Sequence, residues 1–280
     1  MSTLLSLHAH PDDESSKGAG TVAKYAASGV RCILVTATGG EAGDILNPAM
    51  DRPEVKENLA AYRHKELHAA AAIIGYHDVI ELGYRDSGMP DTPPNKHPEA
   101  FVNHDYDSVL ERIVGLIRRY RPVVVMGYDD HERYPHPDHL LVHRLGVDAY
   151  TAAADPGRFP EAGDPWQIQR LVAPIFGVRR LTTLHEAAIG NGYESPFERW
   201  IDDVDPAADD DKHLIHVPIA ETVGVSREAL RAHATQVDPN GRWFSLPLSL
   251  VAETYPYEDY EVLAAEIPVP PGSDDIFEGL

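Results

Sequence analysis

Short apolar runs alternate with longer amphipathic segments in the first half of the chain. The β-branched and aliphatic runs predict four strands: Leu4–His8, Val30–Thr36, Val79–Leu82 and Val123–Met126. Longer segments with helical patterns predict four helices: Ser15–Ser28, Val55–Ile74, Val109–Tyr120 and Pro137–Ala154. Strands that alternate with helices of this length need crossover connections. We therefore predict an α/β fold with a mostly parallel sheet flanked by helices.

The alternation weakens beyond Asp155. A Pro/Gly-rich connector covers Asp155–Pro165, and the later segments predict a strand over Leu171–Val178 and a helix over Ser226–Thr235. The acidic run Asp202–Asp211 is typical of a solvated loop. A change of composition does not by itself establish a second domain. We predict a core over residues 1–155 and, over residues 156–280, a C-terminal elaboration of the same domain that shapes the pocket.

The charge of the chain limits its partners. The 280 residues include 45 acidic and 24 basic side chains, which gives a formal net charge of −21. Nucleic acids and anionic lipids are bound by clustered Lys and Arg, so we expect a small-molecule partner, no nucleic acid and no membrane. Residues 1–8 lack the basic region of a secretory signal, and we expect a cytoplasmic protein. The sequence does not indicate an oligomeric state.

A single cysteine, Cys32, is present and lies within a predicted strand. It cannot form an intramolecular disulfide, and its apolar surroundings predict a buried packing residue. Any metal site must therefore use histidines and carboxylates.

Potential metal ligands gather where the first predicted strand meets its helix, in His8-Ala9-His10-Pro11-Asp12-Asp13-Glu14. His10 and Asp13 are three residues apart, a spacing that a tight turn can direct at one divalent ion. Asp12 would then remain as a general base beside an activated water molecule. The alternative is an acidic cluster that caps the helix and needs no metal.

A second cluster, Tyr134-Pro135-His136-Pro137-Asp138-His139, begins the helix after the fourth predicted strand. The carboxyl ends of parallel strands meet at one edge of a sheet, so both clusters are expected there. His139 is the natural third ligand, because hydrolytic zinc sites use three protein ligands and leave room for water. His136 would face the scissile carbonyl or the leaving amine. Pro and Asp also occur at ordinary helix starts, but two such clusters together favour a metal.

Both motifs, His10-Pro11-Asp12-Asp13-Glu14 and His136-Pro137-Asp138-His139, resemble the signature of the LmbE/PIG-L family of zinc-dependent deacetylases and amidases. The resemblance extends over nearly the whole chain through three further segments: Thr38–Glu41, Asp86–Gly88 and Arg231–Gln236. It implies a Rossmann-like sheet and Zn²⁺ held by His10, Asp13 and His139. Two histidines and a carboxylate also suit Fe²⁺, which remains an alternative.

The resemblance also implies roles for other side chains. The catalytic candidates are Asp12 as general base, Tyr134 and His136 beside the carbonyl oxygen, and Asp138 of the second motif. The substrate-binding candidates are Lys17, Glu41, Arg63, Asp86, His233 and Gln236.

Within the family the chain is most similar to the amidase branch, through residues 8–19 and 43–50. Lys17 is the distinguishing position, because the sister deacetylases usually lack a lysine there. The implied reaction is hydrolysis of the amide in mycothiol S-conjugates to glucosaminyl-inositol and an N-acetylcysteine S-conjugate, in detoxification or antibiotic biosynthesis. The alternatives are deacetylation of N-acetylglucosaminyl-inositol and a non-catalytic sugar-binding relative.

Two local features stand apart from this pattern. Asp130-His131-Glu132-Arg133 replaces a small, glycine-containing loop of the family, and we expect its bulk and charge to narrow or repolarise the pocket. His64 and His68 are four residues apart on a predicted helix, a spacing that metals can use. The sequence shows no third ligand for them, so we interpret them as surface residues.

Overall fold

A computed structural model describes residues 2–130, 134–202 and 204–280. Its strands are β1 Thr3–His8, β2 Arg31–Thr38, β3 Asp78–Tyr84, β4 Val124–Met126, β5 Arg170–Ile175, β6 Leu214–Pro218 and β7 Tyr257–Ala265. They form one seven-stranded sheet in the order β3-β2-β1-β4-β5-β7-β6. Strands β1 to β5 pair in parallel, whereas β7 is antiparallel to both β5 and β6.

Helices lie between most of these strands. They are α1 Asp13–Ser16, α2 Ala19–Ala27, α3 Pro53–Lys56, α4 Leu59–Ile74, α5 Tyr106–Tyr120, α6 Pro137–Ala152, α7 Val178–Gly190, α8 Glu198–Ile201, α9 Val223–Ala232 and α10 Leu248–Thr254. Short 3₁₀ turns cover Pro94–Lys96, Phe101–Asn103, Pro160–Ala162 and Arg242–Phe244. The α/β prediction is confirmed.

The apolar runs of the parallel strands are explained by packing on both faces of the sheet. All six residues of β1 are buried. Leu5 and Leu7 pack in one core, with apolar residues of α5 and α6, whereas Leu4 packs in another with Val22 of α2 and Cys32 of β2. A strand covered on both sides needs apolar residues at successive positions, and these apolar runs are what predicted the strands from the sequence. The same packing confirms Cys32 as a buried residue, and burial raises the pKa of its thiol to about 12.

Two predicted helices are each interrupted in the structure. The segment Ser15–Ser28 divides into α1 and α2 at Gly18, whose φ of +87° favours glycine. A Cβ at this glycine would also lie 2.8 Å from the sulfur of Met126. The segment Val55–Ile74 divides at Asn58, whose side-chain amide donates to the carbonyl of Glu54 at 3.0 Å. This local bond competes with the helical backbone, so α3 ends and α4 begins anew.

The second half contains more regular structure than we predicted. The predicted strand Leu171–Val178 ends at Ile175, and Val178 instead begins α7. The amide of Val178 donates to Asp209 at 2.5 Å, so the acidic run contributes a helix-terminal contact as well as solvated surface. We did not predict α7, α8, α10, β6 or β7. Because β5, β6 and β7 extend the sheet of the first half, both halves share it, and the boundary at residue 155 stays a prediction.

Buried carboxylates explain why β7 was missed. Glu258 and Asp259 break the apolar pattern of this strand, yet both are buried. Glu258 accepts hydrogen bonds from the amides of Gly20 and Thr21 at 3.1 and 2.8 Å, near the start of α2. Asp259 accepts from the hydroxyl of Tyr255 at 2.9 Å. Charged groups that find such partners can occupy a central strand.

No helix within residues 2–130, 134–202 and 204–280 is both long and apolar enough to cross a membrane.

Arg118, on the buried face of α5, should be an important stabilising residue. Its guanidinium donates to the carbonyls of Ala152, Ala153, Asp155, Arg158 and Phe159. We expect Arg118→Met to lower the free energy of unfolding by about 3 kcal/mol, because it leaves several carbonyls without their donor. Urea denaturation would measure the change. The neighbouring exposed Arg119 provides the control Arg119→Met, with an expected change below about 0.5 kcal/mol. Equal losses in both variants would contradict this role.

Candidate metal centre

Three ligand atoms converge at the carboxyl ends of β1 and β4. His10 Nδ1 lies 3.1 Å from His139 Nε2, and Asp13 Oδ2 lies 3.5 Å from His10 Nδ1 and 3.3 Å from His139 Nε2. His10 lies in the turn between β1 and α1 and Asp13 is the first residue of α1, whereas His139 lies in the first turn of α6. All three side chains are buried. The structure therefore brings together two segments that are far apart in sequence.

These separations fit a single divalent ion. Two donors that each lie about 2.0–2.1 Å from a tetrahedral zinc ion are roughly 3.3 Å apart. Burial lowers the pKa of His139 to about 4, so its imidazole is neutral near pH 7, as a metal ligand must be. Burial tends to raise the pKa of Asp13, but the Lys17 ammonium together with the His139 and His10 imidazoles outweighs that effect and holds the pKa well below its usual range. His10, Asp13 and His139 could hold one metal ion.

Outer carboxylates orient His10. Its Nε2 lies 3.2 Å from Asp138 Oδ2 and 3.5 Å from Asp86 Oδ1. This arrangement, in which a carboxylate holds the second nitrogen of a ligating histidine, is common in metal sites. Asp138 Oδ2 also accepts from the amide of Ser87 at 3.0 Å. The carboxylates of Asp86 and Asp138 thus support the side chain of His10 from two segments.

Asp12 lies beside this cluster with an unusual backbone. Its φ is +108°, a value that non-glycine residues rarely adopt. Its side chain makes no capping hydrogen bond to α1, so the capping interpretation is wrong for this residue. Its Oδ2 instead accepts from the guanidinium of Arg63 at 3.1 Å. Burial raises the pKa of Asp12, and the positive charge of Arg63 opposes that rise. Strain at such a position costs about 1–3 kcal/mol and is typical of functional sites.

Arg63 is enclosed by the same turn. Besides Asp12, its guanidinium donates to the carbonyls of Pro11 and Gly40. Gly40 has a φ of +66°, and a Cβ there would collide with the guanidinium. Arg63 is 3% exposed, so in this structure it contacts protein groups and orients Asp12. Its contact with substrate stays a prediction.

The second motif contributes two further rings. His136 is the N-cap residue of α6 and its Nδ1 accepts from the amide of Asp138 at 3.2 Å, so helix capping and proximity to the candidate ligands coexist there. Its ring centroid lies 4.6 Å from that of His10. Burial lowers the pKa of His136, and the neighbouring His10 adds to this effect. Tyr134 is 53% exposed, with its ring centroid 5.5 Å from that of His139.

The remaining substrate-binding candidates differ in how close they lie to the cluster. Lys17 Nζ is 2.7 Å from Asp13 Oδ1, so it contacts a ligand directly. Glu41 accepts from the amide of Asp86 at 3.1 Å, so it contacts the backbone of a residue that lies beside His10. His233 is completely buried and its Nε2 lies 2.6 Å from Glu14 Oε1. This geometry favours a positioning role for His233.

Gln236 lies on the same C-terminal loop as His233. Its amide donates to Thr235 Oγ1 at 3.2 Å, and that hydroxyl donates to Glu66 Oε2 at 2.7 Å. The loop is thereby held on α4. Residues 131–133 of the predicted specificity loop lie outside the described residues.

Sequence reasoning missed two supporting residues. Tyr128 is buried at the end of β4, where its ring stacks on His139 at a centroid distance of 4.7 Å and an angle of 12°. Glu14 accepts from the amide of Asp12 at 2.9 Å and contacts His233, so it links the turn to the C-terminal half. Tyr128 follows a predicted strand, which was the available signal. The partner of Glu14 is 219 residues away, and no local pattern could reveal it.

Comparisons with known proteins identify the family of the chain. Residues 5–150 match the model of the PIG-L family, described as GlcNAc-PI de-N-acetylase. The chain is 39% identical to the mycothiol S-conjugate amidase of Streptomyces coelicolor, over 99% of this chain and 97% of that protein. It is 38% identical to a 1D-myo-inositol 2-acetamido-2-deoxy-alpha-D-glucopyranoside deacetylase of Geodermatophilus obscurus, with the same two coverages.

A solved structure supports the fold. The chain superimposes on the N,N'-diacetylchitobiose deacetylase from Pyrococcus horikoshii with a TM-score of 0.63, covering 93% of this chain and 83% of that one. The sequence identity is only 18%, so this similarity concerns the fold alone.

Proposed function

Since the chain belongs to the LmbE/PIG-L family of amidohydrolases, we propose that it is a zinc-dependent amidase of mycothiol S-conjugates. The reaction would cleave the amide between N-acetylcysteine and glucosaminyl-inositol. The products would be glucosaminyl-inositol and an N-acetylcysteine S-conjugate, formed in the cytoplasm during detoxification or antibiotic biosynthesis.

The observation that best supports hydrolysis is a three-ligand cluster with a spare carboxylate beside it. His10, Asp13 and His139 would hold the zinc, leaving room for water and substrate. When bound, zinc would acidify water and polarise the substrate carbonyl. Fe²⁺ suits the same ligands, and elemental analysis after anaerobic purification would distinguish the two metals.

Asp12 is suited to the transfer of protons. Its carboxylate is adjacent to the ligands yet is not one of them, and its side chain is 30% exposed. A carboxylate with a raised pKa can take a proton from water and pass it to the departing amine. Arg63 would keep the carboxylate pointed at the cluster. The backbone amide bond from Asp12 to Glu14 would fix the turn on which it lies.

His136 and Tyr134 would act on the carbonyl oxygen of the substrate. A hydroxyl or imidazole N–H aimed at that oxygen stabilises the negative charge that develops there. The Nδ1 of His136 accepts from the amide of Asp138, which leaves Nε2 for the substrate. Tyr134 is exposed, so packing restrains it less than it restrains His136. Its hydroxyl would approach the carbonyl oxygen from the solvent side. Asp138 would keep His10 in its ligating orientation through their 3.2 Å contact.

Substrate selection would depend chiefly on Lys17, with Arg63, Asp86 and Glu41 near the glucosaminyl-inositol part. An ammonium has three donors, and one of those on Lys17 is directed to Asp13. The others would remain for the acyl-cysteine side of the substrate. Gln236 would complete the sugar side, and His233 would contribute to substrate binding by positioning the loop that Glu66 anchors.

A parallel assay would test the choice of substrate. The zinc-loaded enzyme would be offered the bimane conjugate of mycothiol and, separately, N-acetylglucosaminyl-inositol. We expect the higher kcat/KM with the conjugate. A clear preference for the acetylated sugar would replace this function with that of the deacetylases, to which the chain is almost equally similar. Zinc-independent binding without turnover would instead indicate a sugar-binding relative.

Lys17→Ala would separate the two activities further. Loss of a charge-assisted hydrogen bond is worth about 1.5–3 kcal/mol, so we expect kcat/KM for the conjugate to fall by about 10–100-fold. The acetylated sugar should be affected much less, because it lacks the cysteine side. Lys65→Ala, on the exposed surface of α4, is the control. Equal losses on both substrates would show that Lys17 acts only through Asp13.

A further inference from the structure

A second cluster of metal-binding side chains lies on the surface, where α4 meets β3. His64 Nδ1 lies 2.8 Å from Glu81 Oε1, and His68 Nε2 lies 3.1 Å from the same oxygen. The imidazole rings are 4.6 Å apart between centroids. Neither the family motifs nor the proposed reaction uses these residues. The interpretation of His64 and His68 as ordinary surface residues is therefore incomplete, because the structure supplies the third ligand that sequence spacing did not show.

We propose that His64, His68 and Glu81 form a second, surface site for a divalent transition-metal ion, with zinc as the expected occupant. Two imidazoles and one carboxylate are the donors that borderline divalent ions prefer. One atom from each residue lies within 4.8 Å of the others. An ion among these atoms would replace direct contacts between imidazole and carboxylate with metal bonds.

The fold gives this site a rigid base. His64 and His68 are one turn apart on α4, and Leu67 and Ala71 of the same helix are buried against the sheet. Glu81 lies within β3, at the edge of the sheet. The three ligands therefore come from two packed elements, which reduces the conformational entropy lost when a metal binds. Their side chains remain open to solvent, at 55%, 46% and 29% exposure.

The electrostatic setting also favours a cation. No lysine or arginine in the described part of the chain forms an ion pair with Glu81, whose recorded partners are the two histidines. The protein carries a formal net charge of −21, so its field attracts positive ions. A bound ion would join α4 to the edge strand. One of its ligands, His64, directly follows Arg63 in the chain but lies on the solvent-exposed side of the helix.

Zinc binding to the holoenzyme would test the site. Enzyme already loaded at the catalytic centre would be equilibrated by dialysis against micromolar free zinc and its zinc content measured by mass spectrometry. We expect one additional equivalent in the wild type. His64→Gln and His68→Gln should each weaken that equivalent at least tenfold. His104→Gln, at another exposed histidine, should leave it unchanged. Retention of the additional zinc in a His64→Gln/His68→Gln double variant would overturn the proposal.

Glu81→Gln distinguishes metal binding from simple hydrogen bonding. The amide oxygen of glutamine still accepts hydrogen bonds from the imidazoles, but it is a much poorer ligand than a carboxylate. With the catalytic centre already loaded in both proteins, we expect further zinc to raise the Tm of the wild type and to leave the Tm of Glu81→Gln almost unchanged. Amidohydrolase activity should be the same in both. An equal rise in Tm in the two proteins would overturn the site, without bearing on the catalytic proposal.

Discussion

Replacing Asp12 with asparagine is expected to lower the turnover number by ~10²-fold or more, the usual scale for losing an acid–base group. The amide of asparagine has the shape of the carboxylate but cannot accept the proton of water. Asparagine also tolerates positive φ better than most residues, so the turn at φ +108° should persist. Hydrolysis of the bimane conjugate would give the rate, and elemental analysis should find the metal content unchanged.

The control for this substitution is Asp164→Asn, which removes a carboxylate that is 88% exposed. It should leave turnover unaltered. If Asp12→Asn keeps full turnover, Asp12 is not the base. If it loses its metal together with its activity, the carboxylate acts as a ligand or supports one.

Replacing His139 with alanine is expected to abolish both tight metal binding and activity. Loss of a single outer partner of a ligand typically weakens metal binding about 10–100-fold, and removal of a ligand itself should exceed this. Only His10 and Asp13 would remain, together with a void beside the Tyr128 ring that stacks on His139. Metal content after dialysis against a weak chelator would measure the loss, since the chelator also removes ions from exposed sites.

His185→Ala provides the matched control, because His185 lies on α7 and bonds to Ser195 at 2.9 Å. It should retain its metal in full. Stoichiometric metal in His139→Ala would remove His139 from the ligand set. Circular dichroism of each variant would confirm that any loss does not come from unfolding.

The parallel half of the fold could be predicted from the sequence because each of its strands carries a recognisable apolar run of its own. Strands such as β1 are buried on both faces, so apolar residues such as Leu4 and Leu5 follow each other in the sequence and are easily recognised. The antiparallel part was not predictable in the same way. Glu258 and Asp259 in β7 are stabilised by partners on other elements, the start of α2 and His216 of β6, and only the folded chain shows that such acidic residues can lie inside.

The candidate site was likewise predictable from the sequence only in part. The motifs around His10 and His139 indicated a shared metal because both follow strands of one sheet, and the structure places their nitrogens 3.1 Å apart. The sequence could not show that Arg63 is enclosed by the turn of Asp12, or that His233 lies against Glu14. Those contacts depend on tertiary packing between distant segments. Glu81 was missed as a ligand for the same reason.

The position of β7 constrains the order in which a growing chain can fold. Within the described structure β6 pairs only with β7, and β7 lies between β6 and β5. During synthesis from the N-terminus, β6 can therefore pair only after residues 257–261 of β7 have left the ribosome. Until then β5 presents an open edge that invites pairing with other chains. A nascent chain can assemble its parallel strands early, but Glu258 can secure the start of α2, behind the turn of Asp12, only after residue 258 has left the ribosome.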